Sequence, residues 1–420
     1  MSAGEAATLA DLHTVLAVSR ALGAERDLDR LLAKIVAAAS SLVDAERSTL
    51  FVLDRERGQL WSRVAEGSGE IRVPLGRGIA GAVAASGQPI NIPDAYADAR
   101  FDASQDRRSG FRTRSILCVP LTDHEQAVVG VLQALNKRSG QAFSAHDQEV
   151  LLALAAQAGV ALVNAQLVQH ERERVRLLRE LELARTIQRA LLPAQLPAVP
   201  GWRFAAWAES CEAVGGDYYD AWTRADGAFD IVIGDVSGHG LPAALLMSSA
   251  RAALRALRLA SDELPALAQA LNRLLAEDMA DDAFMTMVLS RCQPDGSIEY
   301  VSAGHEPPLV WRAARGDWDA LSSTGLPLAL LDDARCELAR IPPLEPGDVA
   351  LWYTDGVHEA PGPAGELFGI ERLRLVLAEA ARRGAGEPQA LLAGIVDAVR
   401  HWRGGQPPHD DMSLLVAVRE

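Results

Sequence analysis

Residues 231–240 read IVIGDVSGHG. Apolar residues, mostly β-branched, run to Gly234, Asp235 follows, and a glycine-rich turn leads into an alanine- and leucine-rich stretch from about Pro242. That order predicts a buried strand, a tight turn and a helix, with a carboxylate held at the rim of a sheet. Gly238 and Gly240 admit positive φ, so backbone carbonyls there can approach a bound ion or ligand closely. A single Asp at such a turn ordinarily satisfies turn amides and nothing more. Three further stations change the reading for Asp235.

Upstream, VGGDYYD places Asp217 after the Gly215-Gly216 pair, a short hairpin away from the 231–236 strand, so Asp217 and Asp235 are expected to be neighbours. Downstream, VALWYTDG ends another apolar run with Asp355 in an Asp-Gly turn. The last station is Asp410-Asp411 in PHDDMSLLVAVR, opening the final apolar strand. Like charges repel and each resists desolvation, so strand-end carboxylates gathered from distant parts of a chain need a cation to offset them. All-oxygen ligation points to magnesium or manganese, since no nitrogen or sulfur donors are patterned with these acids. Two such ions about 3.5–4 Å apart would turn a shared water into a nucleophile for phosphorus.

These residues resemble the PPM-type metal-dependent protein serine/threonine phosphatases, in the bacterial sporulation-protein-E and sigma-regulator branch. The resemblance runs in order from Leu183 to Glu420 through ARTIQRALLP, GGDYYD, GDVSGHGLPAALLM, FMTMVL, YVSAGHEPPLV, WYTDG, ELFG and HDDMSLLV. It implies an αββα sandwich of two antiparallel sheets flanked by helices, with two divalent cations, manganese or magnesium, at one end. It further implies that Asp235 bridges both ions, that Asp217 and the backbone carbonyl of Val236 complete one site, and that Asp355 and Asp410 complete the other. Asp217, Asp235, Asp355 and Asp410 are thus the expected catalytic set. The phosphate-gripping arginine of eukaryotic relatives has no counterpart before GGDYYD. The implied substrate is a phosphoserine or phosphothreonine on a small STAS-domain anti-sigma-factor antagonist.

Other residues near these blocks carry two readings each. His239 lies four residues beyond Asp235 and is read by default as a turn residue, with general acid as the other reading. Asp411 either supports the site from behind or caps nearby backbone, and Asp220 reads equally as a turn carboxylate. Ser302, Gly304 and His305, in SAGHEPP, form either a loop near the site or a hairpin corner shaped by Pro307 and Pro308.

The 420 residues allow two or three domains, and 49% hydrophobic content describes an ordinary globular chain. The formal net charge of −15, with Lys34 and Lys137 as the only lysines, leaves no basic arm for nucleic acid. Cys118, Cys211, Cys292 and Cys336 lack any CxxC spacing, which argues against structural zinc and a disulfide framework and for a reducing cytoplasm. The N-terminus lacks the pattern of a signal peptide. Leu151 to Val163 is too short for a membrane span.

From Thr8 to Ala45, apolar residues recur at helical spacing, clearest over Leu28, Leu31, Leu32, Ile35 and Leu42, and predict two helices. Short alternating segments follow (STLFVLD, QLWSRVAE, IRVPLG, INIPD, RSILCVPL and AVVGVLQALNK), which predict an α/β domain around an antiparallel sheet. This region, Leu28 to Val168, resembles a GAF domain through PLGRGIAGAVAASGQPINIPD, TRSILCVPL and NKRSGQAFSAHDQE. Asn136, Lys137, Phe143 and Asp147 approximate the signature of cyclic-nucleotide-binding members, but Gln148 stands where Glu is expected, and the motif is read as structural. The ligand stays unassigned, and small-molecule sensing and dimerisation alone are both open.

From Asp147 one long helix is predicted to run until Pro193 stops it. Leu167, Leu177, Leu181, Ala184 and Leu191 follow a heptad-like seam that His170, Arg174 and Gln188 interrupt. Both an imperfect coiled coil that transmits a signal in a homodimer and an exposed charged helix fit this pattern. The expected organisation is a helical segment over 1–27, a GAF domain over 28–168, a helical linker over 169–193 and a phosphatase domain over 194–420. The competing functional reading is a catalytically silent regulator that binds its partner without turnover.

Overall fold

The computed structural model describes residues 20, 25, 27–62, 71–279, 283–382 and 387–420. The helical segment expected over 1–27 therefore lies almost wholly outside the described residues. The chain divides into two units, Met1–Leu177 and Leu178–Glu420.

The first unit opens with α1 (Leu28–Leu42), capped by the Asp27 carboxylate, which accepts from the Arg30 amide. The helix ends short of the predicted Ala45, because Asp44 turns the chain at φ 50° and Ala45 already belongs to β1 (Ala45–Asp54). β2 (Gln59–Ser62), β3 (Ile71–Pro74), α2 (Gly78–Ser86), β4 (Ile90–Ile92), α3 (Ser104–Ser109), β5 (Ile116–Thr122) and β6 (Val128–Lys137) follow. The six strands form one antiparallel sheet in the order β3-β2-β1-β6-β5-β4. One face packs against α1 and against Leu151, Leu154, Ala155, Ala158 and Leu162 of α4 (Ala145–Leu191). Gly159 is required in that helix by close approach, since a Cβ there would strike the Thr122 carbonyl. The other face, with α2, lines a cavity of about 630 Å³.

α4 is long and apolar enough to cross a membrane by length and composition alone, but its apolar N-terminal half fills the core just described. Beyond Ala165 its apolar residues Leu167, Leu177, Leu178, Leu183 and Ile187 are exposed.

In the second unit, β7 (Trp202–Glu209), β8 (Tyr218–Thr223), β9 (Phe229–Val236), α5 (Gly240–Leu257), α6 (Leu264–Asp278), β10 (Met285–Cys292), β11 (Ile298–Ala303), β12 (Leu309–Arg312), β13 (Asp317–Trp318), β14 (Ala339–Ile341), β15 (Val349–Tyr353), α7 (Asp355–His358), α8 (Ile370–Arg382), α9 (Pro388–Trp402) and β16 (Met412–Arg419) follow in order. Two antiparallel sheets result, β14-β11-β10-β9-β8 and β13-β12-β15-β16-β7.

Their facing sides interleave Phe229, Ile231, Ile233, Val288, Trp352 and Leu415. On the outer faces, α5 and α6 cover Val232, Val236 and Met287, while α8 and α9 cover Leu351, Leu414 and Val416. Burial on both faces explains why the 231–236 run is apolar almost throughout instead of alternating. Trp352 donates from its indole to Ser290 Oγ at 2.9 Å, tying the two sheets through a satisfied polar contact.

Candidate metal centre

β8 pairs with β9 so that Tyr218 faces Gly234, which sets Asp217 beside Asp235 where the two strands end. β15 delivers Asp355 through Thr354, the N-cap of α7, and β16 begins just after Asp410 and Asp411. Four elements thus converge, and their mutual repulsion is visible in the acids themselves. Burial, then Asp217, Asp355, Asp410 and Asp411 in turn, push Asp235 up to about 10. Asp217 is raised well above the ordinary carboxylate range by burial and then by Asp411, against the nearby hydroxyls of Ser413 and Thr354. Asp217, Asp355 and Asp410 thus all lie within electrostatic reach of Asp235.

The turn conformations are those predicted, with Gly238 at φ 88° and Gly240 at φ 74°. Gly215 and Gly216 are needed for close approach. A Cβ on Gly215 would collide with the Asp411 carboxylate, and one on Gly216 would lie 2.9 Å from the Val236 carbonyl oxygen. The glycine pair thereby lets the loop before Asp217 lie against the carbonyl expected to act as a ligand.

Asp411 is buried and accepts from the backbone amides of Cys211 at 2.8 Å and Gly216 at 2.6 Å. It holds the loop that carries Asp217 from behind. His239 is exposed at the N-cap of α5 and pairs with Glu212 through Nδ1 at 2.7 Å. That matches its reading as a turn residue. Asp220 is a buried structural acid, held by Arg255 at 2.7 and 3.0 Å and by the Tyr218 hydroxyl at 3.0 Å.

Three residues, Thr354, Gln188 and Arg251, make contacts that were not legible beforehand. Thr354 Oγ1 donates to Asp217 Oδ2 at 2.9 Å and accepts from the Ser413 amide at 2.8 Å, so one hydroxyl aligns a carboxylate with β16. Gln188, near the C-terminal end of α4, donates from Nε2 to the Gly215 carbonyl at 2.6 Å and accepts from the Gly215 amide at 3.1 Å. Arg251 of α5 donates to the Leu191 carbonyl at 2.7 Å, fastening the same helix end. Cys211 offers a sulfur within 4.8 Å of ligand atoms of Asp410 and Asp411, but burial and then Asp411 push its thiol up to about 12. A protonated thiol is a poor ligand.

The fit of this group to hard divalent cations rests on a polar atom without a partner. Asp217 Oδ1 is buried and accepts no hydrogen bond, although its twin oxygen is satisfied by Thr354. A buried carboxylate oxygen left unpaired is costly, and an all-oxygen cluster of carboxylates with a carbonyl alongside is the donor set that magnesium and manganese prefer.

In the first unit, the Asn-Lys…Phe…Asp residues hold the fold. Asn136 accepts from the Arg114 and Ser115 amides and donates to Glu46 and to the Arg112 carbonyl. Lys137 pairs with Asp147 at 2.5 Å, and none of the four residues lines the 630 Å³ cavity. The cavity is lined instead by Arg47, Arg72, Arg77 and Arg100 with Thr49, Phe111 and Gln133 among others.

Residues 225–420 match the family model for stage II sporulation protein E, and residues 27–162 match that for the GAF domain. The chain is 37% identical over 184 residues to a dual 3',5'-cyclic-AMP and -GMP phosphodiesterase 11 of Drosophila melanogaster, a match covering 39% of this chain and 12% of that protein. It spans 12% to 21% of the length of three such phosphodiesterases. Among solved structures, the SiaA-PP2C domain of Pseudomonas aeruginosa is 24% identical with a TM-score of 0.50, over 59% of this chain and 98% of that one. The RsbU and RsbW domains of a Mycobacterium tuberculosis protein are 28% identical with a TM-score of 0.47, over 55% of this chain and 63% of theirs. Residues 27–162 are thus similar to GAF domains, and residues 225–420 to stage II sporulation protein E.

Proposed function

We propose that this chain is a metal-dependent protein serine/threonine phosphatase whose activity is set by its GAF domain through the Ala145–Leu191 helix. The observation that carries the reading is the gathering of Asp217, Asp235, Asp355 and Asp410 around a buried Asp217 oxygen that accepts no hydrogen bond. In this reading Asp235, Asp217, the Val236 carbonyl, Asp355 and Asp410 would hold two manganese or magnesium ions. The chemistry those ions supply is activation of water at neutral pH and offset of charge developing on the phosphoryl oxygens.

The protein's own residues do the positioning. Thr354 fixes the rotation of the Asp217 carboxylate, and Asp411 anchors the Cys211–Gly216 loop by two backbone amides. Gln188 grips the peptide of Gly215, so a shift of the helix end is passed to the loop that carries Asp217. The exposed Leu167, Leu177, Leu178, Leu183 and Ile187 support association of two such helices in a homodimer. Free cysteines, three of them buried, support a cytoplasmic setting.

The proposed substrate is a phosphorylated STAS-domain anti-sigma-factor antagonist, which would place the protein in sigma-factor control. The test is phosphate release from such a phosphoprotein by the full chain, with manganese, magnesium or chelator. Metal-dependent release supports the reading. Tight binding without release in either metal would favour the silent regulator instead.

A further inference from the structure

His305 lies in the loop after β11 and is 5% exposed. Its Nε2 lies 2.9 Å from the Tyr353 carbonyl oxygen and its Nδ1 lies 2.7 Å from Thr286 Oγ1. A carbonyl only accepts, so Nε2 carries the proton; in a neutral ring Nδ1 is then the acceptor and takes the threonine proton. Thr286 is the residue of β10 directly opposite Asp235 of β9. Side chains at directly opposed positions share a face and stand about 5 Å apart. Tyr353 belongs to the other sheet, two residues before Asp355. One imidazole thus joins the neighbour of the expected bridging carboxylate to the strand that delivers a carboxylate from the opposite sheet.

We infer that His305 is a positioning residue of the metal centre, a neutral strut in its Nε2–H tautomer that fixes the separation of Asp235 and Asp355. The inference rests on the phosphatase reading only in naming what is positioned. The ring is itself held in place, because Ser302 Oγ donates to the His305 carbonyl at 2.5 Å and the Ser302 amide donates to Thr324 Oγ1 at 2.8 Å. Burial keeps the imidazole uncharged, lowering it to about 4 despite the hydrogen bond to Tyr353. Asn or Gln supplies one of the two bonds and falls short of the other, since only the ring spaces a donor and an acceptor across its width. Groups that orient the partners of a metal typically change its affinity by about 10–100-fold when removed. A residue one step further from the ions belongs at the lower end of that range.

The test uses the full chain with Thr286→Val and His305→Gln. Manganese affinity is measured by calorimetry, the manganese dependence of para-nitrophenyl phosphate hydrolysis gives half-saturation and kcat separately, and melting is followed in chelator. Thr286→Val keeps the shape of the residue and replaces only its hydroxyl by a methyl, which separates positioning from folding. The expected result is a manganese dissociation constant raised about tenfold in Thr286→Val, a smaller fall in kcat at saturating metal, and a melting temperature in chelator close to that of the parent. Nitrogen-15 NMR of the histidine rings is expected to show His305 as the Nε2–H tautomer between pH 6 and 8. Parental manganese affinity in both variants, or a His305 ring protonated on Nδ1, overturns the inference. If the parent chain binds manganese but hydrolyses nothing, the phosphatase reading fails while calorimetry and NMR still decide the strut.

Discussion

The two units each bury a polar cluster, and the clusters are built on opposite principles. In the GAF unit every acid of the cluster has its counterpart. Asp147 meets Lys137 and the Ser144 amide and hydroxyl, and Glu46 meets Asn136 and Arg114. In the second unit Asp217, Asp235, Asp355, Asp410 and Asp411 crowd one another, and a buried oxygen of Asp217 makes no hydrogen bond. The same unit pairs its other buried acids well, Asp230 with Arg291 and Asp348 with Arg312. A chain that satisfies its structural carboxylates this consistently marks the unsatisfied group as the functional one.

The difference has a signature in pH. Burial raises Asp147, but Lys137 and Ser144 outweigh it and leave the acid below its ordinary value. Its contribution to stability is therefore present above the unfolded pKa, about 3.9, and is lost as pH falls through the folded value. Asp235 runs the other way. A folded value near 10 means that the folded metal-free chain binds more protons than the unfolded one, so its stability falls as pH rises from about 4 toward 10. Thermal unfolding of the metal-free chain is expected to show the C-terminal transition weakening between pH 5 and 9 while the N-terminal one holds. Manganese at millimolar concentration is expected to cancel that weakening.

The largest expected effect comes from neutralising the shared acid. Asp235→Asn should lower metal-dependent hydrolysis by roughly a thousandfold or more, since the ions contribute several kcal/mol to the transition state. The same change should raise the melting temperature in chelator at neutral pH, because Asn is neutral without the proton that the aspartate must take up on folding. A variant that lost activity and melted earlier would show the acid to be structural.

Asp147→Asn sharpens the other side of the comparison. It leaves Lys137, 20% exposed at its side chain, without its counter-ion and should destabilise the GAF unit by up to about 3 kcal/mol with little effect on manganese affinity. Calorimetric unfolding with a manganese titration checks both statements.

Thr354→Val removes the hydroxyl that orients Asp217, and manganese affinity should fall about tenfold. Gln188→Ala tests the helix end. Two hydrogen bonds to one peptide, each worth about 1 kcal/mol net, correspond to a few-fold to about thirtyfold loss of turnover, with manganese affinity moving in the same direction. Unchanged turnover in Gln188→Ala would remove the helix end from the account of regulation.

Much of this arrangement was legible because it is written in local pattern. An apolar run that ends in Asp and glycine announces its strand end without knowledge of the partner strand, so Asp217, Asp235, Asp355 and Asp410 stood out. The two β-sheets of the sandwich followed from the family resemblance, and the long helix to Leu191 from its helical spacing and from Pro193. What escaped depends on register between distant segments. Thr354 looked like an ordinary strand residue until β15 and β16 placed it against Asp217. Gln188 looked like a flaw in a heptad seam, and it is the residue that holds Gly215. The SAGHEPP loop carried two open readings, and only the pairing of Thr286 with Asp235 gives its histidine a partner next to the site.

The most direct measurement is hydrolysis of para-nitrophenyl phosphate by the full chain in manganese, in magnesium and in chelator, with Asp235→Asn run alongside. Turnover that requires the metal and disappears in the variant is the predicted result. A folded parent chain that binds no manganese by calorimetry and stays silent in both metals would contradict the reading of the carboxylate group as a metal centre.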